Sequence, residues 1–269
     1  MIDLEDPRAV EAVEARAWMD LYAAVPPGFA EAAGVGFDEI GGALVIRWAA
    51  TRRRYFSRTI GLGVAEPATP ETIDRILERF AAHDIEMFLL QSLPACRPQA
   101  YDGWLHERGL EPFDVHDRVT RNGAPPEPHA GELEVEVVDR GTADEWAAFV
   151  DRVYRLDTGD WLPALVGRPG WHHYVARDGG EVVSARSMYI GPAGAAWLGI
   201  DGPVPGVMTD AYEPDAAICA FMVEDGLARG ATGFVADIEE VSEARDTPAY
   251  EYFARLGFER PYARTHYAR

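Results

Sequence analysis

Lysine is missing altogether: the 25 basic residues are all arginine, set against 45 acidic ones for a formal net charge of −20. A field of that sign repels phosphate backbones and argues against nucleic acid as a partner. Cysteine is scarce as well. Cys96 and Cys219 sit in apolar surroundings with no zinc spacing, which reads as two free thiols in a reducing compartment. No apolar run approaches the roughly 20 residues of a membrane span; the longest cover only residues 195–200 and 216–223. The opening Met-Ile-Asp-Leu-Glu-Asp is acidic where a secretory leader is basic and then apolar. The expectation is a cytoplasmic protein without membrane contact, a monomer or homodimer. What is abundant is core material: 48% of the 269 residues are hydrophobic and 11% aromatic, enough for one large or two ordinary packed domains.

Proline and glycine divide the chain. Asn122-Gly-Ala-Pro-Pro-Glu-Pro-His129 can continue neither a helix nor a central strand, so residues 1–122 and 130–269 read as two domains joined by a linker at 123–129. In the first, residues 7–24 carry apolar positions at helical spacing, and 42–49, 58–64 and 85–91 read as strands. Thr69-Pro-Glu-Thr starts a helix with Ile73, Ile76 and Phe80 on one stripe, and 98–108 is a further helix. The second half repeats the order. Strands are expected at 133–138, 171–177, 181–190, 195–200, 233–238 and 258–267, and helices from Thr142, with a capping-box pattern, and at 215–229 and 248–256. Asp178-Gly179-Gly180 is a hairpin turn. Strands in mixed order with helices between them predict an α/β (α+β) sheet in each half.

The two halves also share a motif. Tyr101-Asp-Gly-Trp-Leu-His-Glu-Arg-Gly-Leu-Glu and Ala249-Tyr-Glu-Tyr-Phe-Ala-Arg-Leu-Gly-Phe-Glu align when Gly109 is set on Gly257, matching Leu105 with Phe253 and Leu110 with Phe258. Helix, then Gly-Phe, then strand resembles the end of the GNAT (Gcn5-related) N-acetyltransferase domain. The order of elements is similar to tandem GNAT proteins, as are the short segments Arg58-Thr-Ile-Gly-Leu-Gly-Val64 and Val166-Gly-Arg-Pro-Gly-Trp171. The resemblance implies two GNAT-like domains, each a mixed, mostly antiparallel sheet flanked by helices, and acyl-CoA-dependent transfer of an acetyl group to a small amine. It places acetyl-CoA along Leu198 and Ile200 and at the loop and helix entry formed by Asp210, Glu213, Asp215 and Ala216. In that family the loop reads Gln/Arg-x-x-Gly-x-Gly/Ala, and its amides hold a pyrophosphate. Here Asp210-Ala-Tyr-Glu213-Pro-Asp215 is acidic at each signature position, and each carboxylate opposes a phosphate by about 1–4 kcal/mol at intermediate dielectric. Asp215 has the position of a helix N-cap.

The residues open to chemistry follow from what amine acylation needs: a base for the ammonium proton and an acid for the thiolate. The family resemblance puts the end of strand 233–238 at the acceptor cleft, where Asp237 and Glu239 alternate onto one face and suit a base or a cationic substrate. His172 is a further base, with His173 on the opposite face. The usual acid position is Phe253, leaving Tyr252 or water as proton source. No spacing signature marks a metal centre and none is assigned, although His172 and His173 with Asp210, Glu213 and Asp215 would make a metal-binding combination. Two further readings compete: a GNAT-fold protein that has lost CoA binding and uses the carboxylate-lined interstrand cleft for another ligand, as a lyase, isomerase or metal-assisted enzyme, and a non-catalytic protein whose duplicated domains bind a small cationic ligand or one another.

Overall fold

The computed structural model describes residues 2–126, 133–203, 212–239 and 248–269. In chain order the elements are α1 (Pro7–Ala23), α2 (Pro27–Ala33), β1 (Val35–Ile40), β2 (Ala43–Trp48), β3 (Arg58–Ile60), α3 (Pro70–Ala81), β4 (Leu90–Ser92), α4 (Tyr101–Glu107) and β5 (Glu111–Asn122). They continue with β6 (Glu134–Val137), α5 (Ala143–Tyr154), β7 (Trp171–Asp178), β8 (Glu181–Ile190), β9 (Ala195–Pro203), α6 (Tyr212–Ala228), β10 (Gly233–Glu239), α7 (Pro248–Arg255) and β11 (Glu259–Ala268). The architecture is mixed α/β with mostly antiparallel strands. Among the described residues no helix is long and apolar enough to cross a membrane.

Two compact units result. One comprises Glu5–Arg118 with Pro261–Arg269, the other Val119–Arg260 with the residues up to Leu4. The chain's last nine residues therefore belong with its first half. In the N-terminal unit β1, β2 and β3 form an antiparallel sheet, and β4 pairs with β11 antiparallel through Gln91 and His266. The helix α3 starts as its sequence predicts: Thr69 Oγ1 accepts from Thr72 N–H at 3.1 Å, and Ile73, Ile76 and Phe80 are fully buried. Their cluster includes Val45, Leu62, Leu90, Tyr101 and Leu105.

The C-terminal unit orders its strands β10-β9-β8-β7-β6, with β9 and β10 parallel and the others antiparallel. Met188, Leu198, Phe234 and Ile238 lie in one core cluster with Ile218, Met222, Phe253 and Leu256 of α6 and α7. The repeated motif is a repeated cap. Leu110 N–H reaches Leu105 O at 3.1 Å and Phe258 N–H reaches Phe253 O at 2.9 Å, each across a glycine with φ of +71° (Gly109) or +80° (Gly257). That is the six-to-one bond of a Schellman cap, which needs a left-handed residue that only glycine adopts without strain.

Local departures from expectation have local causes. β3 ends at Ile60 rather than at residue 64, because Gly61 turns the chain with φ +79°. The stretch 85–91 is strand only from Leu90. Thr142 does not cap α5; its hydroxyl accepts instead from Asp139 N–H, and the Asp139 carboxylate takes the N–H of Gly141.

Candidate functional site

β9 and β10 start side by side and then part. Their register runs Gly233 to Ala195, Phe234 to Ala196 and Val235 to Trp197, while β9 continues to Pro203 and β10 to Glu239. On the other edge of β9, Ser187 of β8 pairs with Gly199 but Ala185 pairs with Gly202. Two residues of β9, 200 and 201, thus oppose Arg186 alone, which is a β-bulge. Ile200 sits there at φ +48°, a strained conformation for a β-branched residue. The bulge lies where the strands have already separated, so the extra residue adds backbone groups outside the ladder at the edge of the opening.

The first turn of α6 brings Asp215 beside this opening. Asp215 is buried, and its carboxylate accepts from Arg186 Nε at 3.1 Å and Nη2 at 2.8 Å. The Tyr252 hydroxyl of α7 donates to the same carboxylate. Asp215 is therefore not the N-cap expected from sequence; it lies inside the helix, and its charge is matched by a guanidinium. Burial, followed by the Asp215 charge, holds the Tyr252 phenol well above its ordinary pKa, and its proton is directed at Asp215. Arg186 also lies 5.8 Å from the Phe253 ring centroid.

The other sequence candidates separate. Leu198 is core, 2% exposed, and Ala216 packs half-buried against the same cluster. Asp237 is half-buried on the part of β10 beyond its register with β9, on the strand face opposite Ala236 and Ile238. Asp210 lies outside the described residues, as do the side chains of Glu213 and Glu239. His172 does not join Asp237 or Tyr252. Burial first, and then Arg229, lowers its pKa, and Asp225 partly opposes them; Asp225 lies near the C-terminal end of α6, about 15 Å along the helix from Asp215, and Arg229 follows the last residue of that helix. His173 is buried 4.0 Å from the ring of Trp146 and stacked on Trp171, with Nδ1 2.8 Å from Ser187 Oγ. Burial pushes its pKa down to about 3, so it is a neutral core residue. The sequence-level metal combination of these histidines with Asp215 does not assemble. Trp161, Trp171 and Trp197 are core. A cavity of about 250 Å³ lies against α7, lined by Val119, Ile238, Tyr250, Phe253, Phe258 and Arg260.

The N-terminal unit holds a polar interior that the sequence analysis missed. Glu11 and Glu14 of α1 are buried against three guanidiniums. Arg118 Nη2 donates to Glu11 at 2.9 Å and also to Glu14, Arg58 donates to Glu14 at 2.7 Å, and Arg264 donates to both. The only sequence signal was a pair of glutamates on the apolar stripe of α1; their partners come from distant strands.

No family model matches the sequence, and no curated protein matches it. Solved structures do. A GCN5-related N-acetyltransferase from Kribbella flavida superposes with a TM-score of 0.62 at 17% identity, covering 96% of this chain and 95% of that one. One from Sphaerobacter thermophilus gives 0.58 at 13% identity over 99% and 93%. A tandem GNAT protein from the clavulanic acid biosynthesis pathway gives 0.53 at 13% identity over 99% and 96%. Along nearly its whole length the chain has the GNAT fold.

Proposed function

We propose that the chain is an acyl-CoA-dependent N-acyltransferase that moves an acetyl group to a small cationic amine in the opening between β9 and β10. The observation that carries this reading is the end of β9–β10 pairing at Trp197 and Val235 while both strands run on. The donor supplies an activated acyl group as a thioester. The residues present fit it: the backbone of Leu198 and Ile200 borders the opening, and the first turn of α6, apart from Pro214, offers N–H groups and the positive end of a helix dipole. Pairing with Arg186 removes the objection that Asp215 would repel a phosphate.

Each remaining role falls to a residue of this chain. The backbone amide at the Ile200 bulge donates to the carbonyl oxygen as negative charge develops there. Asp237 takes the ammonium proton, and Asp237 with Glu239 attracts a cationic acceptor. Water is the source of the second proton, because the Tyr252 hydroxyl is engaged with Asp215. Tyr252 acts as a positioning residue for the first turn of α6.

The two remaining acidic positions of the loop, Asp210 and Glu213, favour a second reading, in which the opening has lost pyrophosphate binding and takes another ligand. Acetyl-CoA titration with a panel of amines separates the two. At 100 times its Kd, acetyl-CoA should stabilise the protein by roughly 2.7 kcal/mol, and Asp237→Asn should lower kcat/KM by about 10²–10⁴-fold. No stabilisation at millimolar acetyl-CoA would reject the first reading in favour of the second.

A further inference from the structure

A second cluster, which plays no part in the proposed acyl transfer, lies in the N-terminal unit. Asp114 and His116 are two apart on β5 and share one strand face; His266 comes from the adjacent strand β11. One carboxylate oxygen and one ring nitrogen from each histidine lie within 4.8 Å of one another. Tyr55 joins them: its hydroxyl donates to Asp114 and sits 3.1 Å from His116 Nε2. His266 is fully buried, while the side chains of Asp114 and His116 remain 20% and 12% exposed, which leaves a way in from solvent.

Gln91 on β4 is the independent observation. It is 1% exposed, its Nε2 lies 3.0 Å from His266 Nε2, and its Oε1 has no hydrogen-bond partner. An orphaned amide oxygen at such a site costs about 1–3 kcal/mol. The two ends of an amide have the same shape, and turning Gln91 over lets Oε1 accept from His266 Nε2–H while the amide NH2 takes the other position. The single proton of a neutral His266 ring then resides on Nε2, and Nδ1, which lies 2.5 Å from Asp114 Oδ1, presents a lone pair. A carboxylate and two imidazole lone pairs then converge with only the Tyr55 proton among them. Three converging acceptors call for a cation, and a histidine fixed by an outer hydrogen bond on its far nitrogen is the usual arrangement of a metal ligand.

We propose that Asp114, His116 and His266 bind a divalent first-row transition metal ion, with Gln91 orienting His266 and Tyr55 supplying a fourth, oxygen ligand. Two imidazoles and one carboxylate suit zinc or iron better than calcium or magnesium, which favour all-oxygen sets. The charge balance bears on the Tyr55 role. Glu11 and Glu14 offset two of the three guanidiniums of Arg58, Arg118 and Arg264, so a dication beside the third gains from the Asp114 carboxylate and from an anionic phenolate oxygen.

The test uses the full chain, stripped with a chelator, and two probes: Zn(II) by calorimetry and Co(II) by visible absorption, whose ligand-field bands report nitrogen and oxygen ligation. One tight ion per chain is expected. Gln91→Leu should weaken binding by about 10–100-fold, and His116→Gln and Asp114→Asn, which keep size and hydrogen bonding, should weaken it more than that. Tyr55→Phe, at a half-buried site, provides a variant that spares the interior. Absence of a Co(II) spectrum, or affinity unchanged in folded His116→Gln and Asp114→Asn proteins, would overturn the proposal, the latter by placing the metal on the acidic surface. Acetyl-CoA binding measured on the same samples keeps this result separate from the acyltransferase reading.

Discussion

Replacing Arg186 by methionine tests both the packing and the chemistry of the α6 entrance. The substitution keeps an apolar side chain of similar length but leaves the Asp215 carboxylate, 5% exposed, with the Tyr252 hydroxyl as its one remaining donor among Arg186 and Tyr252. Removing one partner of a buried ion pair typically costs about 3–5 kcal/mol. At an m-value of about 1.5–2 kcal/mol per molar urea, that moves the unfolding midpoint down by roughly 1.5–3 M. Trp146, Trp161, Trp171 and Trp197 all lie in the C-terminal unit and report its unfolding by fluorescence. Tyr252→Phe removes one hydrogen bond to a charged group, about 1.5–3 kcal/mol. Arg186→Met with Asp215→Leu removes both charges and should return close to the wild type, because apolar replacement of a whole buried pair is often neutral. The single variant should also bind acetyl-CoA more weakly, since the bared carboxylate opposes a phosphate by about 1–4 kcal/mol. A loss below about 1 kcal/mol in Arg186→Met, or a double variant whose loss equals the sum of the singles, would refute the ion-pair account.

Four further outcomes are expected. Glu14→Gln should destabilise the N-terminal unit by about 3–5 kcal/mol in urea unfolding, since it leaves Arg58, Arg118 and Arg264 facing Glu11 alone. The same carboxylates predict acid sensitivity: burial alone would raise Glu11 and Glu14, but the charges of Arg264 and Arg118 outweigh it and hold both below 4.5. The unfolded chain therefore binds protons first, so this stabilisation is complete above about pH 5 and is lost as pH falls through and below 4.5; a Tm that stays flat from pH 6 to about 3 would contradict it. Gly226→Ala would set a Cβ 2.7 Å from Phe234 Cε1 and 2.9 Å from Met188 Sδ. Overpacking of about 1–3 kcal/mol should exceed the roughly 1 kcal/mol gained in helix propensity and lower the Tm, whereas a raised Tm would mean that α6 sits farther from the sheet. His172→Gln should leave acyl-transfer kcat/KM within about twofold, and a drop beyond about tenfold would restore His172 to the site.

How much of this was legible depended on how local each signal is. The Thr69 cap, the hairpin at Asp178-Gly179-Gly180 and the Gly109 and Gly257 helix ends are set by neighbouring residues, and all form. The end of β3 at Gly61 was missed because an apolar run continues past the turn, and periodicity alone does not register a positive φ. The role of Asp215 was misjudged because an aspartate near a helix start is most simply a cap. Its partners, Arg186 and Tyr252, come from a strand and a helix 29 and 37 residues away. The interior around Glu11 and Glu14 was further out of reach: its bonds to Arg118 and Arg264 span 104 to 253 residues. The same holds for His266, which meets Asp114 across 152 residues. A single sequence carries no record of such pairings.

The central claim, that the opening between β9 and β10 admits a thioester, is tested most directly by hydrogen exchange of the backbone amides with and without acetyl-CoA. Slowed exchange at residues 198–202 and in the first turn of α6, with β1 and β2 unchanged, is the predicted result. Binding that leaves those amides unprotected, or protection confined to the N-terminal unit, would contradict it.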